Sequence, residues 1–335
     1  MDSMTLDPAE SATEASASQD AAGARNEALR ATVRLQAASA GQSMAAVARE
    51  AGVPYGTLSQ WINGTYAGRN DRIDAQMQRW LDSRATAERT RAELPTGPGF
   101  VSTETAQNIL AVLEHAQHAP DLVTITGAAG IGKTSAIEAY RARSTNVWVV
   151  TGQPSMRTPG ALLGDIAELL AIHDVNATHR LARAVTERVR GARGLIVVDE
   201  AQHLDVRTLD QARSLHDLSG VGVALVGNER VTTRIEGGSR TPDFAQLFSR
   251  VGLRFKRSRP RRGDIDALLD AWDVADADAR KLLAAIATKP GALRGAIKTL
   301  RIALMQATAA DELLSARHVE VAWHGLSGTT LGAAS

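Results

Sequence analysis

Leu122–Ala136 reads LVTITGAAGIGKTSA. Leu122 to Thr126 is a short apolar, β-branched run, the composition of a buried parallel strand. It leads into Gly127, Ala128, Ala129, Gly130, Ile131, Gly132, Lys133, Thr134 and Ser135, a complete G-x-x-x-x-G-K-[ST] pattern between a strand and a helix. Glycines let successive backbone N–H groups turn inward around phosphate oxygens. The following helix aims its positive end at the same anion. Lys133 supplies a charge for β- and γ-phosphates, and the Thr134 hydroxyl suits Mg²⁺. The expected cofactors are therefore ATP and Mg²⁺.

Downstream, Leu195 to Val198 forms another apolar run that ends in Asp199 and Glu200. After a phosphate loop, such a pair divides its labour. Asp199 is expected to support the metal, and Glu200 to activate the attacking water. Val147 to Val150, Val223 to Val226 and Val251 to Phe255 complete a set of five strands. Asn228, just past the fourth, stands where a polar side chain can reach a γ-phosphate. Leu162, Leu163, Ile166, Leu169 and Leu170 mark one buried helix face. A helix from Thr241-Pro242 carries Phe244, Leu247 and Phe248 inward and closes at Ser249-Arg250. Arg250 there either complements the helix dipole or reaches a neighbouring subunit's phosphates. Arg254, Lys256, Arg257, Arg259, Arg261 and Arg262 form a basic run, read either as a DNA-phosphate contact or as a solvated linker face. Helices rich in Leu and Ile follow, and Arg294 opens the third of them.

The flanks set the organisation. With 335 residues there is material for two or three domains. No apolar run approaches membrane-spanning length and no signal peptide is visible, so a cytoplasmic protein without membrane contact is expected. Cys is absent, which excludes disulfides and cysteine nucleophiles. The formal net charge is +1, but Asp2, Asp7, Glu10, Glu14 and Asp20 fall in the first 24 residues, which hold no Lys or Arg. The remainder is basic and suits an anionic partner. The boundaries read as a disordered acidic tail (1–24), a helical domain (25–86), a linker (87–99), a nucleotide-binding domain (100–260), a helical lid (261–325) and a flexible tail (326–335).

Within 25–86, Ser43 is placed to cap a helix carrying Val47, and Pro54 opens another with Leu58, Trp61 and Ile62. Met44 to Trp61 is similar to a helix-turn-helix of the phage-repressor type. Tyr55, Thr57, Ser59, Gln60 and Asn63 are its candidate DNA contacts, and a helical protein-binding module is the alternative. That helix carries no Lys or Arg before Arg69, which favours phosphate contact over base readout.

The five strands in this motif order resemble the AAA+ ATPase family. The resemblance implies an α/β P-loop fold with a five-stranded parallel sheet in the order 5-1-4-3-2, a helical lid and an N-terminal all-α domain. Asn228 takes the sensor-1 place, Arg250 the arginine-finger place and Arg294 the sensor-2 place. With Ala92-Glu93-Leu94-Pro95, Phe244 to Arg250 and Lys289 to Arg294, the chain looks like the phage Mu transposition protein B family. That implies an ATPase stimulated by DNA and transposase. It would coat double-stranded target DNA as a self-assembled helical filament or ring, deliver it to a DNA transposase, stimulate strand transfer and leave on hydrolysis. The family's basic channel loop corresponds to Asn176–Arg180, giving His179, Arg180 and Arg183 as DNA-contact candidates. Other readings are a replication-type loader, a secretion-associated ATPase or a nucleotide-gated transcription regulator.

Overall fold

The computed structural model describes residues 26–93, 95–236 and 250–330. The acidic tail, the helix expected from Thr241 and the last five residues lie outside them. The chain divides into two units, Met1–Leu94 and Pro95–Ser335.

In the first unit, α1 (26–39) is followed by α2 (Met44–Ala51), α3 (Tyr55–Ile62) and α4 (Asn70–Glu93). The Ser43 hydroxyl accepts from the Ala46 N–H and so satisfies one of the free donors at the start of α2. Pro54 sits at the head of α3, where a missing N–H costs nothing. Val33, Val47, Leu58, Trp61, Met77 and Trp80 meet in one core. The two indoles keep their N–H groups paired, Trp61 to Asp74 at 2.7 Å and Trp80 to Glu50 at 3.0 Å. The linker expected at 87–99 is helical over its first half. Apart from Thr90, Ala87 to Glu93 contains good helix formers, and the first breaker is Pro95, so α4 continues to Glu93.

The second unit is built on five parallel strands: β1 (Leu122–Gly127), β2 (Val147–Thr151), β3 (Leu195–Asp199), β4 (Gly222–Gly227) and β5 (Val251–Arg257). Their order is β2-β3-β4-β1-β5, the expected arrangement read from the other edge. Alternate residues serve opposite cores. Ile196 and Val198 pack with Leu162, Leu163, Ile166 and Val185, whereas Leu195 and Val197 pack with Ile109, Leu113, Ile137 and Tyr140. Burial on both faces is why the central strands β1, β3 and β4 read as continuous apolar runs.

The covering helices are α5 (Glu104–His118), α6 (Lys133–Arg143), α7 (Pro159–Leu169), α8 (Thr178–Val189), α9 (Val206–Ser219) and α10 (Glu229–Glu236). Leu169 departs from the expected apolar face. As the last residue of α7 it is exposed, and Leu170 takes the buried place.

α11 (Arg262–Ala271), α12 (Ala277–Ala287), α13 (Ala292–Ala309) and α14 (Ala316–Ser327) share a separate core around Ile265, Leu283, Leu300 and Val319. The basic run before them is not a linker. β5 extends to Arg257, so Arg254, Lys256 and Arg257 are strand residues. Lys256 faces Glu229 at 3.8 Å, Arg261 pairs with Glu104, and Arg262 pairs with Asp266 at 3.0 Å. Beneath Arg261 the fully buried Asp264 accepts from the Thr105 N–H at 2.9 Å, the Thr105 hydroxyl at 2.5 Å and the Arg261 N–H at 2.8 Å. One carboxylate thereby joins the start of α5 to the start of α11.

Candidate nucleotide-binding site

β1 delivers the chain into the phosphate loop, and α6 begins at Lys133 with Gly132 before it at φ 98°, a left-handed conformation. The Lys133 ammonium is buried and donates to the carbonyls of Gly127 and Ala128, both at 2.9 Å. Burial holds its pKa below the usual lysine range, while the Glu200 and Asp199 carboxylates pull it back up. The loop carbonyls thus hold the ammonium where a phosphate would meet it.

Asp199 ends β3. Its Oδ2 accepts from the Thr134 hydroxyl at 2.9 Å, and its Oδ1 from the Glu200 N–H at 2.8 Å. Burial raises its pKa, and those two hydrogen bonds oppose the rise. Thr134 and Asp199 are hard oxygen donors set side by side. They fit Mg²⁺, which takes few protein ligands and completes its shell with phosphate and water. Among the described residues no group of three or more His, Asp or Glu could hold a metal by itself.

Glu200 follows in the left-handed region at φ 53° and starts a 3₁₀ turn, Ala201–His203. A cavity of about 700 Å³ runs from the loop to the lid, with Lys133, Thr134, Glu200, Trp272, Arg294 and Arg301 on its wall. The Arg294 N–H donates to the Gly130 carbonyl at 3.3 Å. A side chain at Gly130 would begin 2.0 Å from the carbonyl of Gly291, so the lid helix meets the loop backbone to backbone.

The remaining expected site residues lie elsewhere. Asn228 lines a second cavity of about 690 Å³ with Arg157, Gln202, His203 and Arg230. Its side-chain oxygen accepts from the Arg230 N–H at 2.9 Å. Arg250 is 62% exposed, with Nε 3.8 Å from Asp217. His179 and Arg180 are exposed in the first turn of α8, and Arg183 pairs with Glu187 at 2.9 Å. In the other unit Tyr55, Gln60 and Asn63 are exposed, while Thr57 and Ser59 are half-buried.

Two features escaped the sequence reading. Trp272, packed against the lid core, also walls the cavity, with the Arg301 guanidinium 5.4 Å above its ring. Gln202, two residues past Glu200, bonds to both Glu200 and the Asn228 backbone. The only signal for it was an amide placed two residues after the acidic pair.

Sheet order, phosphate loop and acidic strand end together define a P-loop protein of the AAA class, and residues 114–235 match the AAA domain family. Residues 249–326 match the family described as Mu B transposition protein, C terminal. The chain is 36% identical over 281 residues to the ATP-dependent target DNA activator B of Escherichia phage Mu, covering 84% of this chain and 89% of that protein. The protein of the same name from Escherichia phage D108 matches to the same extent. The Mu-like prophage FluMu DNA transposition protein B of Haemophilus influenzae is 36% identical over 255 residues, 75% of this chain and 88% of that one. The chain belongs to the Mu B transposition protein family.

Proposed function

We propose that this chain is an ATPase that binds double-stranded DNA in its ATP-loaded state and presents that DNA as a target to a DNA transposase. The observation that carries the reading is the Thr134–Asp199 pair beside a buried Lys133, in a chain whose relatives are named ATP-dependent target DNA activators.

In this reading Gly127 to Ser135 wrap the phosphates, Lys133 leaves the loop carbonyls for the β- and γ-phosphates, and Thr134 and Asp199 hold Mg²⁺. The cation would neutralise charge on the phosphates. Glu200 takes the proton of the attacking water, a contribution of about 10²–10⁴-fold. Arg294 reaches the nucleotide from the lid. Asn228, just past β4, lines the second cavity and reaches the water only after leaving the Arg230 N–H, and Arg250 completes the site of a neighbouring subunit. Its exposure and loose pairing leave it free to do so.

Heterologous contacts that do not close on themselves give a helical filament. Many weak phosphate contacts then sum along DNA. His179, Arg180 and Arg183 on α8 supply such contacts, and Tyr55, Thr57, Ser59 and Gln60 supply them in the N-terminal unit. Assembly follows ATP, stimulation of strand transfer follows delivery, and hydrolysis prompted by the transposase releases the DNA.

The test is Lys133→Ala. A fluorescent ATP analogue should lose affinity for the variant, and DNA binding in the presence of ATP should fall with it. DNA affinity of the parent should decline with salt at a slope of about 0.9 per phosphate neutralised. Unchanged nucleotide affinity in the variant would sink the site assignment. A salt-independent DNA affinity would remove phosphate contact.

A further inference from the structure

The turn that follows β3 carries a side chain with no part in the reading above. Gln202 is 92% buried, and its amide is used at both ends. The Oε1 atom accepts from the Asn228 backbone N–H at 3.1 Å, and Nε2 donates to Glu200 Oε2. Amide oxygen and nitrogen are assigned by their partners. A backbone N–H can only donate and a carboxylate only accept, so this amide has one orientation.

The place is built for it. The Gln202 oxygen lies where a Gly227 side chain would begin, 2.3 Å from an added Cβ. Only glycine at the end of β4 lets the amide approach that closely. Glu200, the group it holds, sits in the left-handed region at φ 53°, so its backbone leaves the direction of β3 before the side chain emerges. Glu200 nevertheless lines the phosphate-loop cavity, whereas Gln202 and Asn228 line the second one. Gln202 therefore stands in the wall between two cavities. One of its two amide N–H donors goes to the carboxylate expected to act on water.

We propose that Gln202 is the positioning residue of the hydrolytic reaction. Its amide, anchored on the β4 end, fixes the rotamer of Glu200 so that the carboxylate faces the phosphate loop. The proposal rests on the reading of Glu200 as the base. It predicts a loss in turnover without a loss in nucleotide binding, because the Gln202 side chain bonds to Glu200 and Asn228 and, among the described residues, makes no hydrogen bond to the loop, Thr134 or Asp199. A hydrogen bond to a charged group is of a size to change a rate about tenfold or more.

The experiment is steady-state ATP hydrolysis by the full chain with DNA, together with titration of a fluorescent ATP analogue. Parent, Gln202→Leu, Gln202→Glu and Glu200→Gln are compared, with each Gln202 change also placed in the Glu200→Gln background. Gln202→Glu is nearly isosteric and guards against a folding failure of the leucine variant. Both Gln202 variants should lower kcat about tenfold or more while KM and analogue affinity stay at the parent values. Neither should lower the residual rate of Glu200→Gln further, because residues that act through one another are not additive. A rise in kcat, an equal loss in both backgrounds, or a loss of analogue affinity matching the loss of kcat overturns the proposal. If Glu200→Gln itself turns over like the parent, the base assignment fails. If Glu200→Gln is slow and both Gln202 variants keep the parent kcat, the positioning role alone fails.

Discussion

The Thr134 hydroxyl donates to Asp199 Oδ2 at 2.9 Å although the strands leading to the two residues are not neighbours. β4 lies between β1 and β3. The bond therefore spans the middle of the sheet at its C-terminal edge, the place where open α/β sheets bind ligands. It holds two hard oxygen donors together before any cation arrives.

Thr134→Ala should separate metal from phosphate recognition. The variant keeps the loop amides and Lys133. Its affinity for a fluorescent ATP analogue should fall about tenfold or more with Mg²⁺ present, the size of one hydrogen bond to a charged group. With EDTA the variant and the parent should bind alike. An equal loss under both conditions would mean that Thr134 serves the loop's shape instead of a cation.

Arg250→Ala should fold normally, since an exposed pair 3.8 Å apart contributes at most about 1 kcal/mol. If it acts in trans, the variant binds ATP but hydrolyses it poorly, with a loss of about 10³-fold or more. Mixing it with Lys133→Ala should restore part of the activity, because an intact phosphate loop then meets an intact arginine. Absence of rescue at every mixing ratio, with mixed assembly shown by cross-linking, would leave Arg250 a local role beside Asp217.

Asp264→Asn removes acceptor capacity that three donors use. At least one buried donor loses its partner, so the second unit should be destabilised by about 2–4 kcal/mol. Thermal and urea unfolding would show it. A change below about 0.5 kcal/mol, the range of an ordinary surface substitution, would mean that the junction between α5 and α11 is not held by this carboxylate.

Glu50 supplies a pH signature for the N-terminal unit. Hydrogen bonds from Trp80 and Gln42, and then the Arg84 charge, hold its pKa below the ordinary value of 4.5. A depressed carboxylate stabilises the fold above its unfolded pKa, and that contribution disappears as pH falls through the folded value. Glu50→Gln should therefore lower stability at pH 7, by no more than about 1 kcal/mol for so exposed a group. Parent and variant should converge as the pH falls through the lowered folded pKa. Calorimetry between pH 3 and 7 would measure it, and a constant difference across that range would contradict the assignment.

The sheet was legible because its central strands β1, β3 and β4 are buried on both faces and read as unbroken apolar runs, and because Gly127 to Ser135 admit few other structures. The acidic strand end was equally plain. What the sequence hid depends on three-dimensional neighbours. Gln202 acquires meaning only from Gly227 and Glu200 around it, and nothing in AQH advertises that. The basic run from Arg254 left two readings open, a phosphate contact or a solvated linker face, and the structure carries the strand expected over Val251 to Phe255 on to Arg257, an edge strand with one solvated face. α4 outran its expected end because Ala87 to Glu93 resembles a charged linker in composition while favouring a helix at every position but Thr90.

Gly130 and Gly291 have a bearing on how sequences of this family can diverge. Each sits at positive φ, 84° and 100°, and the carbonyl of the second fills the space of a side chain on the first. Neither position can take a first mutational step alone. An alanine at 130 strikes the lid helix, and a larger residue at 291 strains its own backbone without making room. The two glycines form a locked pair in the evolutionary sense, although the middle positions of a phosphate loop are written as x. An intermediate that escaped would need a displaced lid, and it would have to survive with its cavity open.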